Sequence, residues 1–380
     1  MRKTDKNIDL AASTTDAAIS PKVPARRAPR TTGRRATVGV KPPLATGMMS
    51  PAVTPRSIDT GVDDVEAPDL ATIVGNGLAA FKGIILPTAP QQTAVRQMHS
   101  LLVMGEQQPV GQMRRAYRYL NHSGSGKSTS ANILRINMER RPDFVPDSKP
   151  VLHVTLSTTG TPKSLASSIL DALGDNYSTR GEAELLLRRV RQGLQDFDVK
   201  LLIIDELNHF RHKSMARDAA NTIKNILTLG WVPVVLMGTT AAQSLFTDNR
   251  ELKNRCAPQV VLSAYDVDDR DGDLARWTDF LKRMDMALVN RKILGSISGL
   301  ADPFLAEDLC RASNGLIGEL HNILLAALEE TLLAGEPLIS MTRIADAVDA
   351  WCMADGTIDR NFVREGFSAN LAQQRSREGQ

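Results

Sequence analysis

The run Asn121-His122-Ser123-Gly124-Ser125-Gly126-Lys127-Ser128-Thr129 and the later Leu201-Leu202-Ile203-Ile204-Asp205-Glu206 leave few folds open to this chain. A glycine-rich turn between a strand and a helix aims backbone N–H groups inward, making a concave site for phosphate oxygens. Ahead of the turn, Ala116 to Leu120 reads as a strand; after it, Ser130 to Glu139 reads as a helix. The second segment is apolar throughout and ends in two carboxylates, as a central parallel strand covered on both faces does. Strand, phosphate loop, helix and a buried acidic strand together predict an α/β fold with a parallel sheet.

The chemistry follows from residue types. Gly124 and Gly126 permit the turn and the close approach of phosphate, Lys127 reaches the outer phosphates, and the Ser128 hydroxyl suits Mg²⁺. Asp205 is placed to share the Mg²⁺ shell, and Glu206 to polarise an attacking water. ATP and Mg²⁺ are the expected ligands. Asn121 stands where the usual pattern has its first glycine, and asparagine tolerates a left-handed backbone.

Further along, strand-like runs at 150–156, 201–204, 232–237 and 259–262 alternate with helical ones at 164–173, 182–195 and 217–229. Such alternation gives a parallel sheet with helices on both faces. Beyond about residue 266 the strands stop. Helices are expected at 274–288, 303–313, 318–334 and 342–352, the third apolar nearly all round and therefore a core helix. The expected divisions are an arm at 1–65, an α/β nucleotide domain at 66–265, a helical lid at 266–352 and a polar tail at 353–380.

Charge is unevenly spread. Residues 1–60 hold 11 Lys/Arg against 4 Asp/Glu, and the remainder 35 against 39. The arm also holds seven of the 19 prolines and no aromatic residue, so it lacks the apolar surface to offset its ordering entropy and is expected to be disordered and basic. Three widely spaced cysteines, Cys256, Cys310 and Cys352, make neither a disulfide framework nor a zinc site. No long apolar run suits a membrane span, and a bacterial cytoplasmic setting is expected.

The order and spacing of these motifs resemble the AAA+ ATPases. Within them the chain resembles TniB, the ATPase of Tn7-like and Tn5053-like transposons, related to TnsC and more distantly to MuB. The resemblance spans about residues 66–352. It rests on Leu202 to His209, Val232 to Thr239, Glu251 to Cys256 and Ser313 to Leu320, beside the phosphate loop. It implies that Thr239, with Thr240 as its competitor, orients the water from the end of its strand. It also implies that Arg255, with Arg250 as its competitor, is an arginine finger aimed at a neighbouring subunit's nucleotide. A lid arginine of the superfamily has no counterpart here; His321 is the nearest residue.

The resemblance further implies a homo-oligomeric ring or helical filament on duplex target DNA, an integrase-like transposase as partner and a TniQ-type adaptor. The DNA contacts it implies, to phosphates and without sequence preference, are assigned to the loop at Thr158, Thr159, Thr161 and Lys163 and to the helix face of Arg188, Arg189 and Arg191. A solvated charged face is the plain alternative for each. Two other functions stay open at this point. One is a helicase loader or origin binder, disfavoured because about 28 residues after Cys352 are too few for a winged helix. The other is a nucleotide-gated scaffold that barely hydrolyses ATP.

Overall fold

The computed structural model describes residues 69–157, 160–210 and 213–366. The arm at 1–65, Thr158, Thr159 and the tail from 367 onward lie outside them. Everything described belongs to one compact unit, Glu66–Gln380.

Two helices precede the sheet. Helix α1 (Leu70–Lys82) starts at Asp69, whose carboxylate accepts the Thr72 N–H. Helix α2 (Ala89–Gln107) starts with a reciprocal cap: Thr88 Oγ1 accepts the Gln91 N–H, and Gln91 Oε1 accepts the Thr88 N–H. Strand β1 (Ala116–Leu120) then feeds the phosphate loop and α3 (Lys127–Glu139). Next come β2 (Val151–Thr155), α4 (Pro162–Leu173), α5 (Ala183–Asp196), β3 (Leu201–Asp205), α6 (Lys213–Thr228) and β4 (Val234–Gly238). Short helices α7 (Gln243–Thr247) and α8 (Arg250–Arg255) lead into β5 (Cys256–Gln259).

All five strands are parallel, in the order β2-β3-β4-β1-β5. Their apolar runs are continuous because both faces are covered. Leu202 and Ile204 of β3 face one core with α4, α5 and α6, while Leu201 and Ile203 face another with α2 and α3. Strand β4 divides its residues in the same way, with Val234 and Leu236 opposite Val235 and Met237. The C-terminal ends of β1, β3 and β4 therefore open on one edge of the sheet, the usual place for a ligand in such folds.

The fifth strand departs from expectation. Pairing with β1 begins at Cys256, directly after α8, and includes Pro258, which an edge strand tolerates. Val260 N–H still donates to Arg118 O, but Leu262 N–H turns to the Asn121 side chain. In the Val260-Val261-Leu262 run, Leu262 enters the α2–α3 core with Val260 packed against it, while Val261 is exposed.

A third core is helical: α9 (Ala275–Asn290), α10 (Pro303–Ala312), α11 (Ile317–Leu333) and α12 (Met341–Val348), with a wide turn at Asp349–Met353. Trp277, wholly buried, donates its indole N–H to Ala306 O, and Asp285 accepts the N–H groups of Ser298, Gly299 and Leu300. Helix α1 lies on α11, and its Phe81 belongs to this core. The cysteines are buried and their thiols are pushed up to about 12, 12 and 11 for Cys256, Cys310 and Cys352, chiefly by burial. Among the described residues no helix is long and apolar enough to cross a membrane.

One carboxyl in α10 sets a pH dependence. Burial, then Glu307, Glu365 and Asp302, push Asp308 up to about 6 against the pull of Arg311. A raised carboxyl favours the folded state while protonated, so its contribution is full below pH ~4 and is lost as pH rises toward ~6. Asp308→Asn is therefore expected to raise the melting temperature at pH 7–8, with the gain vanishing near pH 4. Paired thermal melts at the two pH values check this.

Candidate nucleotide site

The phosphate loop lies between β1 and α3, held by its flanks. Asn121 is buried; its N–H donates to Gly238 O of β4, its amide donates to Val260 O, and its Oδ1 accepts the Leu262 N–H. It is not left-handed: the positive φ values in the loop belong to Gly124 (74°) and Gly126 (87°). The backbone explanation for asparagine here is thus replaced by a bridging one, since no glycine offers a side chain to tie β1 to the segment after β5. Gly126 serves as the N-cap of α3 and abuts the Gln91 side chain, so a Cβ there would collide.

Lys127 opens α3 almost fully buried. Its Nζ donates to Asn121 O (3.0 Å), His122 O (2.8 Å) and Ser125 Oγ (3.4 Å). Burial holds its pKa below the ordinary lysine value, against Asp205 and Glu206, which raise it. Ser128 Oγ donates to Asp205 Oδ2 at 2.7 Å, joining the phosphate loop to the acidic strand. Asp205 also accepts from His153 Nε2 (3.1 Å) and from the Glu206 N–H (2.8 Å). Burial opposes its charge, but the bonds from His153, Ser128 and the Glu206 N–H outweigh it and hold the carboxyl below its usual range.

Glu206 is left-handed (φ 62°, ψ 41°), a conformation that costs a non-glycine residue ~1–3 kcal/mol and recurs at functional sites. Its Oε2 accepts from Asn208 Nδ2 at 2.9 Å. Both residues line a cleft of about 640 Å³ between the sheet edge and the helical layer. Ser123, Gly124, Gly126, Lys127, Ser128, Thr129, Gly238 and Thr239 line it from the sheet side. Lys82 to Leu86 and the start of α11 close the other side. A cleft of this size suits a nucleotide. Thr239 lies in its wall, whereas Thr240 begins the short turn Thr240–Ala242 behind.

The lid meets the loop through backbone. Gly318 N–H donates to Gly124 O at 2.9 Å, and the two glycines touch so closely that a Cβ on Gly318 would strike Gly124. Beside them Glu319 accepts from Trp351 Nε1 at 2.9 Å. His321 stacks on Phe81, ring centroids 4.7 Å apart and 10° from parallel. Burial, then Lys82, lowers its pKa, so the ring is neutral at pH 7.

Arg255 does not line the cleft of its own chain. Its Nε donates to Thr228 Oγ1 (2.9 Å) and its Nη1 to Glu251 O (2.8 Å). Arg250 at the head of α8 is exposed and has no ion pair among the described residues. Lys163, Arg188 and Arg191 are exposed, with Arg188 paired to Glu184. Arg189 is engaged inward, bonding Asp175, Tyr177 O and Arg180 O.

Four residues at the site have no role assigned from sequence: Gln91 and His153, outside every motif, and Asn208 and Glu319, inside runs that carry the resemblance. His153 did leave a trace, since an imidazole interrupts an otherwise apolar strand on the side that faces α3. Among the described residues no group of three His, Cys, Asp or Glu forms a metal cage. A hydroxyl and a carboxylate beside a phosphate loop are the hard oxygen donors that suit Mg²⁺, which keeps water and phosphate for most of its shell.

Residues 87–265 match the family model described as bacterial TniB protein. No curated protein matches the sequence significantly. The fold is similar to that of Cdc6p from Pyrobaculum aerophilum, with TM-score 0.54 and 14% identity over 72% of this chain and 70% of that one. It is also similar to the Aeropyrum pernix ORC2 protein in its ADPNP–ADP complexes (TM-score 0.52, 14% identity, 71% and 70%). A third likeness is the Aeropyrum pernix ORC1 protein in complex with DNA (TM-score 0.50, 15% identity, 69% and 65%).

Proposed function

Since this chain is a TniB-like AAA+ protein, matched to that family over residues 87–265, we propose that it binds ATP with Mg²⁺ and assembles on duplex target DNA. The assembly recruits or activates an integrase-like transposase, with a TniQ-type adaptor as a further partner, and hydrolysis disassembles it. The observation that carries this reading is the 2.7 Å bond from Ser128 to Asp205, which joins both nucleotide motifs beneath a cleft of suitable size that Ser128 and Glu206 line.

Within that reading the loop amides and Lys127 bind phosphate, and Ser128 and Asp205 hold Mg²⁺, which when bound neutralises phosphate charge. Glu206 takes a proton from the attacking water, and Thr239 orients that water. Arg255 serves a neighbouring subunit, because it stands away from its own cleft. The proposed division is an ATPase domain at 66–265, a lid at 266–352 and a tail at 353–380, with α1 resting on the lid core. Phosphate contacts to DNA are assigned to Lys163, Arg188 and Arg191, with Arg189 needing release from Asp175 first.

The test is ATP turnover by the full chain with and without duplex DNA of mixed sequence. Stimulation by DNA, weakening as salt rises, is the expected outcome. Flat turnover near background overturns it and favours a nucleotide-gated scaffold. One observation leans toward that second reading: His321 is turned onto Phe81 and neutral, so this lid position offers no charge to a nucleotide.

A further inference from the structure

We propose that His153 is a positioning residue for Asp205, fixing the carboxylate that holds Mg²⁺; this rests on the nucleotide reading of the cleft. Strand β2 pairs with β3 so that His153 lies beside Ile203 and Thr155 beside Asp205. From there the imidazole reaches two residues along and donates Nε2–H to Asp205 Oδ2 at 3.1 Å. Ser128 Oγ donates to the same oxygen, and the Glu206 N–H fixes the other. The carboxylate is therefore held at both ends, in a place where its side chain is only 5% exposed.

The three donors are not equivalent. Ser128 lines the cleft, and its hydroxyl, whose O–H is on Asp205, would give an oxygen lone pair to the metal. The Glu206 N–H belongs to a left-handed turn at the residue assigned as general base. His153 is not among the cleft-lining residues and has no competing role there. It is the donor that holds Asp205 without itself being a candidate metal ligand. Outer partners of this kind fix ligand geometry, and their loss commonly costs ~10–100-fold in metal affinity.

The experiment measures binding of a non-hydrolysable ATP analogue to the full chain, in Mg²⁺ and in EDTA. His153→Leu is expected to lose about tenfold of the Mg²⁺-dependent tightening while its affinity in EDTA stays at the wild-type value. His153→Gln, whose amide reaches as far as Nε2, is expected to restore most of it. Equal Mg²⁺ dependence in the Leu variant, equal losses in Mg²⁺ and EDTA, or failure of Gln to rescue overturns the assignment. His153→Asn, polar but too short to reach, replaces the Leu variant should that one fail to fold. A wild-type chain that binds no nucleotide overturns the cleft reading itself, and this inference with it.

Discussion

Glu206→Gln is expected to bind ATP as the wild type does and to hydrolyse it ~10²–10⁴-fold more slowly, the range a positioned general base contributes. The substitution removes a charge and little else. Glu206 Oε2 accepts from Asn208 Nδ2, and a glutamine carbonyl can accept the same bond. The left-handed backbone is set by the end of β3 and the short turn Leu207–His209, whose last N–H donates to Glu206 O. Asp205 keeps its bonds to His153 and Ser128, so the junction of the two motifs stays intact. If hydrolysis drives disassembly, the variant accumulates on DNA as an ATP-bound oligomer. Sedimentation on duplex DNA with ATP, beside single-turnover hydrolysis, reads both consequences. Wild-type turnover by the variant removes Glu206 from the role of base, and a monomer on DNA removes the assembly model.

How far the sequence reached depended on the range of the interaction concerned. The strand before the loop, the glycines, Lys127, Ser128 and the acidic strand were legible because each is local: apolar runs, turn residues and their spacing report their own conformation. The helical layer after residue 266 was legible for the same reason. Two other features were not. His153 meets Asp205 through a parallel register between strands separated by two helices, and a single sequence does not encode that register in any local pattern. The stacking of His321 on Phe81 joins the first helix to the eleventh, so the packing of α1 on the lid was equally hidden. The displaced fifth strand has a different cause. Apolar character marked where Leu262 enters the core, whereas the ladder was fixed by where α8 ends, at Arg255. Asn121 shows a related limit: its tolerance of unusual backbone was a sound general argument, but its side-chain bonds to Val260 and Leu262 decide the position.

The second large effect concerns Arg255. Arginine fingers contribute ~10³–10⁵ in kcat, and Arg255→Ala is expected to reduce DNA-stimulated turnover to the DNA-free rate, with nucleotide affinity of the isolated chain unchanged. A finger at this position acts in trans, since the guanidinium bonds Thr228 and Glu251 O and does not line its own cleft. Those two bonds also mean that some of the loss could reflect a loosened α8, at about 1 kcal/mol per bond. Subunit mixing separates the two causes. Lys127→Ala protein binds no nucleotide but keeps Arg255, and Arg255→Ala protein keeps an intact cleft but lacks the finger. Neither shows DNA-stimulated turnover alone, and a mixture on DNA is expected to regain it, because some interfaces then pair an intact cleft with an intact arginine. A merely structural Arg255 gives no such recovery. Arg250→Ala, run in the same mixing format, settles the competition within α8, since Arg250 is exposed and free of ion pairs among the described residues while Arg255 must first release Thr228. Recovery with Arg250→Ala in place of Arg255→Ala would move the finger one helical turn and a half toward the head of α8 and leave Arg255 as the residue that anchors that helix to α6.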